Sequence, residues 1–281
     1  MPPRPDTVFF LSDYGTRDEF AGVVRAVLRR LAPAATVIDL THEVPPFDVA
    51  AGARALARSI PHLGDGVVLG VVDPGVGSTR RGVALRVAGE RQRFFVGPDN
   101  GLLLPAAELI DTEIEAVELP APDPMQDAAT FDGRDVFAPA VASLCNGATL
   151  DDIGTTLVPS SLVRLLLPLP KHATLADGRA VRWCQVGWVD RFGNLQLSAA
   201  PTDEDPDAFA LAWADDDQNA PRGMTDRMVR RVDAFADLRP GELGMIVDAN
   251  GRLALVVREG SAAEQLGVGT GQLVGLAELP A

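Results

Sequence analysis

Cysteine, histidine, positive charge and long apolar runs are all scarce in these 281 residues, and each shortage closes off a class of protein. Cys145 and Cys184 are too few for a disulfide framework and wrongly spaced for a metal site; both sit in apolar company and read as buried free thiols. The three histidines, His42, His62 and His172, form no HExxH-type pair, so no metal is expected. With 25 Lys and Arg against 39 Asp and Glu, the formal net charge is -14. Such a surface repels nucleic acid and anionic lipid. The apolar run in MPPRPDTVFFLSDYG is too short and interrupted for a signal peptide or a membrane span, so the expectation is a cytoplasmic protein without a membrane or nucleic-acid partner. Nucleotide and hydrolase signatures are missing too: there is no GxGxxG after the first strand, no GxxxxGK[ST] and no GxSxG.

What is present is globular: 47% of residues are hydrophobic and 23% charged, in a chain long enough for two domains. TVFFLS at 7–12 is a continuous apolar run, as in a strand buried on both faces. It stops at Asp13. Thr16 and Glu19 then have capping-box spacing, and Phe20, Val23, Val24, Val27, Leu28 and Leu31 recur at helical intervals until Pro33. TVIDL at 36–40 repeats the strand and runs into Thr41 and His42, an Ala-rich helix follows from about Asp48 to Ser59, and VVLGVV at 67–72 is a third strand. This alternation predicts right-handed crossovers and a largely parallel sheet, with ligands at the carboxyl ends of the strands. Asp13, Thr41 with His42, and Asp73 stand at such ends. GVALRVA and QRFFVG read as an antiparallel hairpin, which makes the sheet mixed.

The loop after the third strand, within VVDPGVGSTRRG at 71–82, is the chemical centre of the chain. Pro74, Gly75 and Gly77 force a tight turn, so Asp73 and Arg80 can face a common point, either as a loop-stabilising ion pair or as part of an active site. GPDNGLL reads as a turn. TFDGRDVFAPAVASLCNG at 130–147 reads as a polar loop, crowded with Asp132, Arg134 and Asp135, feeding a helix that Gly147 ends. PLPKHATLADGR reads as a linker. From Trp183 onward seven strand-like segments and a DANG hairpin turn at 248–251 predict an all-β sandwich or small barrel. The expected organisation is an α/β domain with a mixed, mostly parallel sheet over 1–168, followed by an all-β, barrel-like domain over 180–281.

Six stretches, FLSDYGTRDEFAG, DLTHEVPPFDV, VVDPGVGSTRR, VGPDNGLL, TFDGRDVFAPA and VDRFGNL, occur in this order. Together they resemble the S-adenosyl-L-methionine (SAM) hydrolase family, also called SAM hydroxide adenosyltransferases, which is related to the fluorinase and chlorinase. The resemblance covers nearly the whole chain and is strongest through Phe137. It implies a homotrimer with each site between one subunit's N-terminal domain and a neighbour's C-terminal domain. It also implies cofactor-independent attack of water on the ribose C5′ of SAM, giving adenosine and L-methionine. By motif position it implies that Asp13 holds the ribose hydroxyls, Phe47 lines the ribose face, and Asp73 and Arg80 handle the water. Asp190 would meet the methionine ammonium, while Asn194, Phe235, Arg258 and Gly260 would surround the adenine or the methionine tail. Phe192, in the VDRFGNL motif, is counted with these substrate-binding residues.

One position departs from the family, whose TFHGRD is TFDGRD here, so Asp132 stands where the resemblance implies a catalytic histidine. An acid there still accepts a hydrogen bond but adds negative charge beside Asp73, and two such carboxylates tend to share a proton and titrate as a unit. A sulfonium departs as a neutral thioether, so catalysis is mostly alignment and desolvation of the nucleophile. A carboxylate beside that nucleophile disfavours halide, since like charges at ~4 Å repel by several kcal/mol in a partly dry site. The alternatives are a halide-dependent SAM halogenase and a non-catalytic adenosine- or SAM-binding trimer.

Overall fold

The TVFFLS run forms β1 (Thr7–Ser12), buried from Val8 onward, in a computed structural model that describes residues 4–87, 93–121, 130–166, 168–175, 177–214 and 221–279. The chain divides into two units, Met1–Leu166 and Leu167–Ala281. In the first, β1 is followed by α1 (Phe20–Leu31), β2 (Thr36–Thr41), α2 (Val49–Ser59) and β3 (Gly66–Val71), the expected alternation. β4 (Gly82–Val87) and β5 (Arg93–Pro98) pair antiparallel. After them come α3 (Leu104–Glu108), β6 (Ile114–Glu118), α4 (Ala138–Cys145), α5 (Leu150–Ile153) and β7 (Thr155–Leu157). The sheet order is β2-β1-β3-β5-β4-β6-β7. Its first four strands are parallel and the remaining pairings antiparallel, so it is mixed, and its parallel half carries the polar strand ends.

Helices cover both faces of this sheet. On one, Ala21, Val24 and Leu28 of α1 and Val141 and Leu144 of α4 pack with Val8, Phe10, Val67 and Leu69. Burying each Leu or Phe side chain here contributes roughly 1.5–3 kcal/mol. On the other, α2 packs so closely that a Cβ on its Gly52 would stand 2.8 Å from Leu102 Cδ1 and 3.0 Å from Val72 Cγ2. The capping box expected at α1 does not form. Glu19 caps without a side-chain bond, and Thr16 Oγ1 donates to Glu43 Oε1 at 2.9 Å: a partner delivered by the end of the neighbouring strand displaces the local one. α2 begins as its sequence suggests, with the Asp48 carboxylate accepting from the Ala51 N–H at 2.8 Å.

The second unit contains β8 (Lys171–Thr174), β9 (Ala180–Val189), β10 (Leu195–Leu197), β11 (Ala208–Ala214), β12 (Pro221–Arg231), β13 (Leu243–Val247), β14 (Leu253–Val257), α6 (Ala262–Leu266) and β15 (Leu273–Ala277). Pairing of β10 with both β14 and β9 closes β9 to β15, seven strands, into a barrel. Closure removes the exposed edges that invite association. The barrel is filled by Leu195, Leu211, Val229, Met245, Leu255 and Val274. β8 lies inside the stretch read as a linker; it pairs with β9, but its four residues are all exposed, so no apolar alternation marks it. Both cysteines are free, Cys184 buried and Cys145 only partly so, against the expectation of two buried thiols. Burial pushes each thiol up to about 11. Among the described residues no helix is long and apolar enough to cross a membrane.

The seam between β3 and β5 depends on a glycine. A Cβ on Gly97 would lie 2.1 Å from the Gly70 carbonyl oxygen, a backbone contact that cannot swing aside. Gly97→Ala is therefore expected to cost about 1–3 kcal/mol, read in a thermal melt as a fall of about 2–4 °C per kcal/mol; an unchanged midpoint would show that the seam yields.

Candidate active site

Asp13 leaves the carboxyl end of β1 and Asp73 follows β3, its neighbour in the parallel half of the sheet, so the two acids reach one rim. They line a cavity of about 250 Å3 together with Tyr14, Phe20, Phe47, Phe131 and Asp132. The loop after β3 folds back on itself. The Val76 N–H donates to the Asp73 carbonyl at 3.3 Å and the Ser78 N–H to the Gly75 carbonyl at 3.1 Å, while Gly77 takes φ 76°, a value that favours glycine. The Arg80 N–H then donates to Ser78 Oγ at 3.2 Å, and its guanidinium turns back over the strand end.

There Arg80 Nε donates to Asp73 Oδ1 at 3.1 Å, and Nη2 donates both to Asp73 Oδ2 and to Asp132 Oδ2 at 2.6 Å. The three side chains are only 10, 7 and 9% exposed, so this is a buried acid–arginine–acid cluster rather than a screened surface pair. Phe137 lies under the guanidinium, 5.4 Å from its ring centroid. The two readings of the loop meet at Asp73, which pairs with Arg80 and also lines the cavity. Burial raises the Asp73 carboxyl above its ordinary range and Asp132 adds to the rise, against the lowering by Arg80. Asp132 Oδ1 is buried and has no hydrogen-bond partner among the described residues.

The neighbouring residues divide. Arg81 points elsewhere, to Asp99 and to the Ser161 carbonyl at 2.7 Å. The polar loop expected around Asp132 is instead a π-helical turn, Gly133–Phe137, a geometry common at functional sites. Arg134 and Asp135 pair with each other at 2.6 Å. The PDNG segment does more than turn, for Asn100 Nδ2 donates to the Val72 carbonyl at 2.8 Å and so braces the backbone beside Asp73.

Asp13 and Phe47 are coupled directly, because the Phe47 N–H donates to Asp13 Oδ2 at 2.9 Å. Desolvation raises the Asp13 carboxyl and this bond opposes it. Phe47 takes φ 67° and is 70% exposed, a strained, solvent-facing aromatic beside an acid. Tyr14, one residue after Asp13 in SDYG, was not picked out from the sequence. Its ring packs with Phe20 and Phe131, each 5.7 Å away between centroids, and a Cβ on Gly133 would stand 2.1 Å from its hydroxyl. Burial and the charges of Asp13, Asp73 and Asp132 raise its pKa, which keeps the phenol neutral. Its adjacency to a strand-end acid was the only signal available.

In the barrel the remaining candidates share one rim. Asp190 Oδ1 accepts from the Phe192 and Asn194 N–H groups, both at 2.9 Å, and Oδ2 accepts from Asn194 Nδ2 at 2.8 Å. Gly193, φ 79°, sits where a Cβ would be 2.0 Å from Ser261 Oγ, one residue beyond Gly260. Arg258 Nη1 donates to the Ala236 and Leu238 carbonyls at 3.2 and 2.8 Å, next to Phe235. Phe192 and Phe235 are 71% and 43% exposed, free to meet a flat ligand. Among the described residues no three His, Cys, Asp or Glu side chains could hold a metal ion.

Carboxylates on the rim of a parallel sheet, a neutral phenol and exposed aromatics define a pocket for a hydroxylated or cationic small molecule, in a protein that joins an α/β unit to a seven-stranded barrel. The chain belongs to the SAM hydroxide adenosyltransferase family, whose N-terminal domain matches residues 8–154 and whose C-terminal domain matches residues 184–275. It is 44% identical, over 96% of its length and 97% of the relative's, to the (R)-S-adenosyl-L-methionine hydrolase of Salinispora tropica. It is 29% identical to the fluorinase of an Actinoplanes species, over 72% of this chain and 75% of that one. An uncharacterized conserved protein of Thermotoga maritima has the same fold, with a TM-score of 0.80 at 30% identity, covering 96% of this chain and all of that one.

The left-handed backbone at Phe47 is a cost carried for the site. Phe47→Gly should raise stability by about 1 kcal/mol by relieving it, whereas Phe47→Ala, which keeps the Cβ, should not. Thermal melts of the two variants check this, and an equal response would show that φ carries no strain.

Proposed function

We propose that this chain hydrolyses SAM at the ribose C5′, giving adenosine and L-methionine, and that it takes the (R)-sulfonium epimer named for its Salinispora relative. The observation that carries the reading is the cluster of Asp73, Arg80 and Asp132 on the same cavity as Asp13 and Phe47. The Asp13 carboxylate accepts hydrogen bonds from the ribose hydroxyls and Phe47 lines the sugar, which presents C5′ to the acids. A water oxygen forms its bond to C5′ as the bond from C5′ to sulfur breaks, its electron pair staying on sulfur, which leaves as the neutral thioether of methionine. The water's proton passes to the carboxylate pair and then to solvent. Arg80 holds both acids in place throughout. Asp132 accepts from the same guanidinium, so the residue that replaces the family's histidine stays attached to the site.

The rest of the proposal concerns the whole assembly. The barrel residues meet the other end of the substrate: Asp190, whose carboxylate has lone pairs beyond those used in its own turn, takes the methionine ammonium, and Asn194, Phe192, Phe235, Arg258 and Gly260 surround the adenine or the methionine tail. The enzyme works as a homotrimer, with one subunit's α/β unit facing a neighbour's barrel, needs no cofactor and acts in the cytoplasm. Water is preferred over halide because three acids line the cavity and a single arginine pairs with two of them, a balance that attracts a sulfonium and repels an anion. The lower identity to a fluorinase than to a hydrolase supports the same choice.

Incubation with SAM in oxygen-labelled water is expected to yield adenosine labelled at its 5′ oxygen. No adenosine above blank overturns the reading, and halide-dependent 5′-halo-5′-deoxyadenosine assigns the chain to halogenation. The pH profile is a second check. Activity needs ionised Asp73, whose pKa is raised above the ordinary 3.8, so activity falls on the acid side at a pH above that value. Asp132 contributes to the rise, so Asp132→Asn should move this limb to lower pH; a limb that stays or moves up contradicts Asp73 as its source.

A further inference from the structure

Behind the cavity, a chain of polar contacts runs from the surface of α1 to the backbone that carries Asp13. Arg25 Nη1 donates to Asp39 Oδ2 at 2.7 Å, and Asp39 Oδ1 lies 3.1 Å from His42 Nε2, a nitrogen that is buried with no hydrogen bond among the described residues. On the other side of the ring, Nδ1 bonds Ser12 Oγ at 2.8 Å, and Ser12 Oγ accepts from the Tyr14 N–H at 3.3 Å. Ser12 is fully buried and His42 is 6% exposed. The His42 ring stands edge-on to Phe10, 4.6 Å between centroids, which fixes its plane.

The two segments that this ring joins are those that bear the sugar-facing residues. The segment after β1 carries Asp13 and Tyr14, and the segment after β2 carries His42, Val44 and Phe47. Backbone bonds join them as well: the Gly15 N–H donates to the His42 carbonyl at 2.7 Å and the Val44 N–H to the Ser12 carbonyl at 3.4 Å. Phe47 is tied to Asp13 directly through its N–H, and the bond between His42 Nδ1 and Ser12 is the buried side-chain tie behind that contact, one residue from Asp13.

We infer that His42 is a positioning residue for nucleoside binding, acting through its Nδ1 bond to Ser12 to hold Asp13 and Phe47 at the spacing the ribose requires. The inference rests on the proposed SAM reading for the identity of the ligand. It assigns His42 to affinity and not to the chemical step, because the ring is buried behind the rim acid and does not line the cavity that holds Asp73 and Asp132.

The two ring nitrogens can be tested apart. Asparagine places an amide near Nδ1 and can keep the bond to Ser12, whereas glutamine reaches toward Nε2 and loses it. Adenosine dissociation constants by calorimetry on the full chain are expected to stay within about threefold for His42→Asn. For His42→Gln they should rise roughly tenfold, the size of one lost neutral hydrogen bond. Ser12→Ala, with the ring in place, should give the same tenfold loss, so the comparison survives if the glutamine variant fails to fold. A residue that only fills space would lower the melting point of both amide variants without separating their affinities. Equal affinities for the two amide variants, or an unchanged affinity in Ser12→Ala, would overturn the inference. Wild-type protein that forms adenosine from SAM yet binds none would overturn the inference alone, whereas one that forms none would remove the SAM reading and the inference with it.

Discussion

One guanidinium between two buried carboxylates is the constraint on which the rest of the α/β unit depends. Asp73 and Asp132 come from segments far apart in the chain, and in a water-poor rim neither charge is tolerable without Arg80. Three segments must therefore converge: the end of β3, the glycine-bearing loop that turns Arg80 back, and the π-helical turn that lifts Asp132 into reach. Phe137 beneath the guanidinium belongs both to that turn and to the apolar cluster between the sheet and its helices. The core and the chemistry share an anchor, so the site is rigid to the degree that the unit is folded.

The charge balance that follows supports the selectivity proposed for the pocket. Three acids line the cavity while one arginine pairs with two of them, so acidic groups outnumber basic ones there. A sulfonium is drawn into such a field and a halide is kept out, whereas a neutral water is indifferent to it until it begins to lose its proton. Asp132, where the resemblance implies a histidine, pushes further in the same direction. It places a carboxylate there and not an imidazole, with one buried oxygen that no donor among the described residues satisfies. The neutral Tyr14 phenol, surrounded by the same acids, adds a polar wall without adding charge.

Strain and bracing are distributed in the same economical way. Phe47 holds a left-handed backbone to expose its ring while its N–H fixes Asp13, and Asn100 steadies the Val72 carbonyl beside Asp73. His42 links the ends of β1 and β2 from behind. None of these braces is strong by itself, each being one neutral or singly charged hydrogen bond. They matter because they act on residues one or two positions from a functional carboxylate.

Much of this was legible in the order of the residues, because apolar runs, helical spacing and turn-forming glycines are local signals. The first three strands, the two helices between them, the hairpin and the seven barrel strands all carry such signals, and six ordered motifs marked Asp13, Asp73, Arg80 and Asp132 for attention. The short α3, α5, β6 and β7 did not, since three to five residues are too few to show a period. β8 did not because every one of its side chains is exposed. The sequence by itself determined the two-part architecture and which residue types stand at the strand ends. Only the tertiary structure decided that Thr16 bonds across to Glu43 and not into its own helix, that Arg80 serves two acids while Arg81 turns away, and that Tyr14 joins the site. Those choices depend on distances between segments that meet through the sheet, and no local pattern encodes a distance across it.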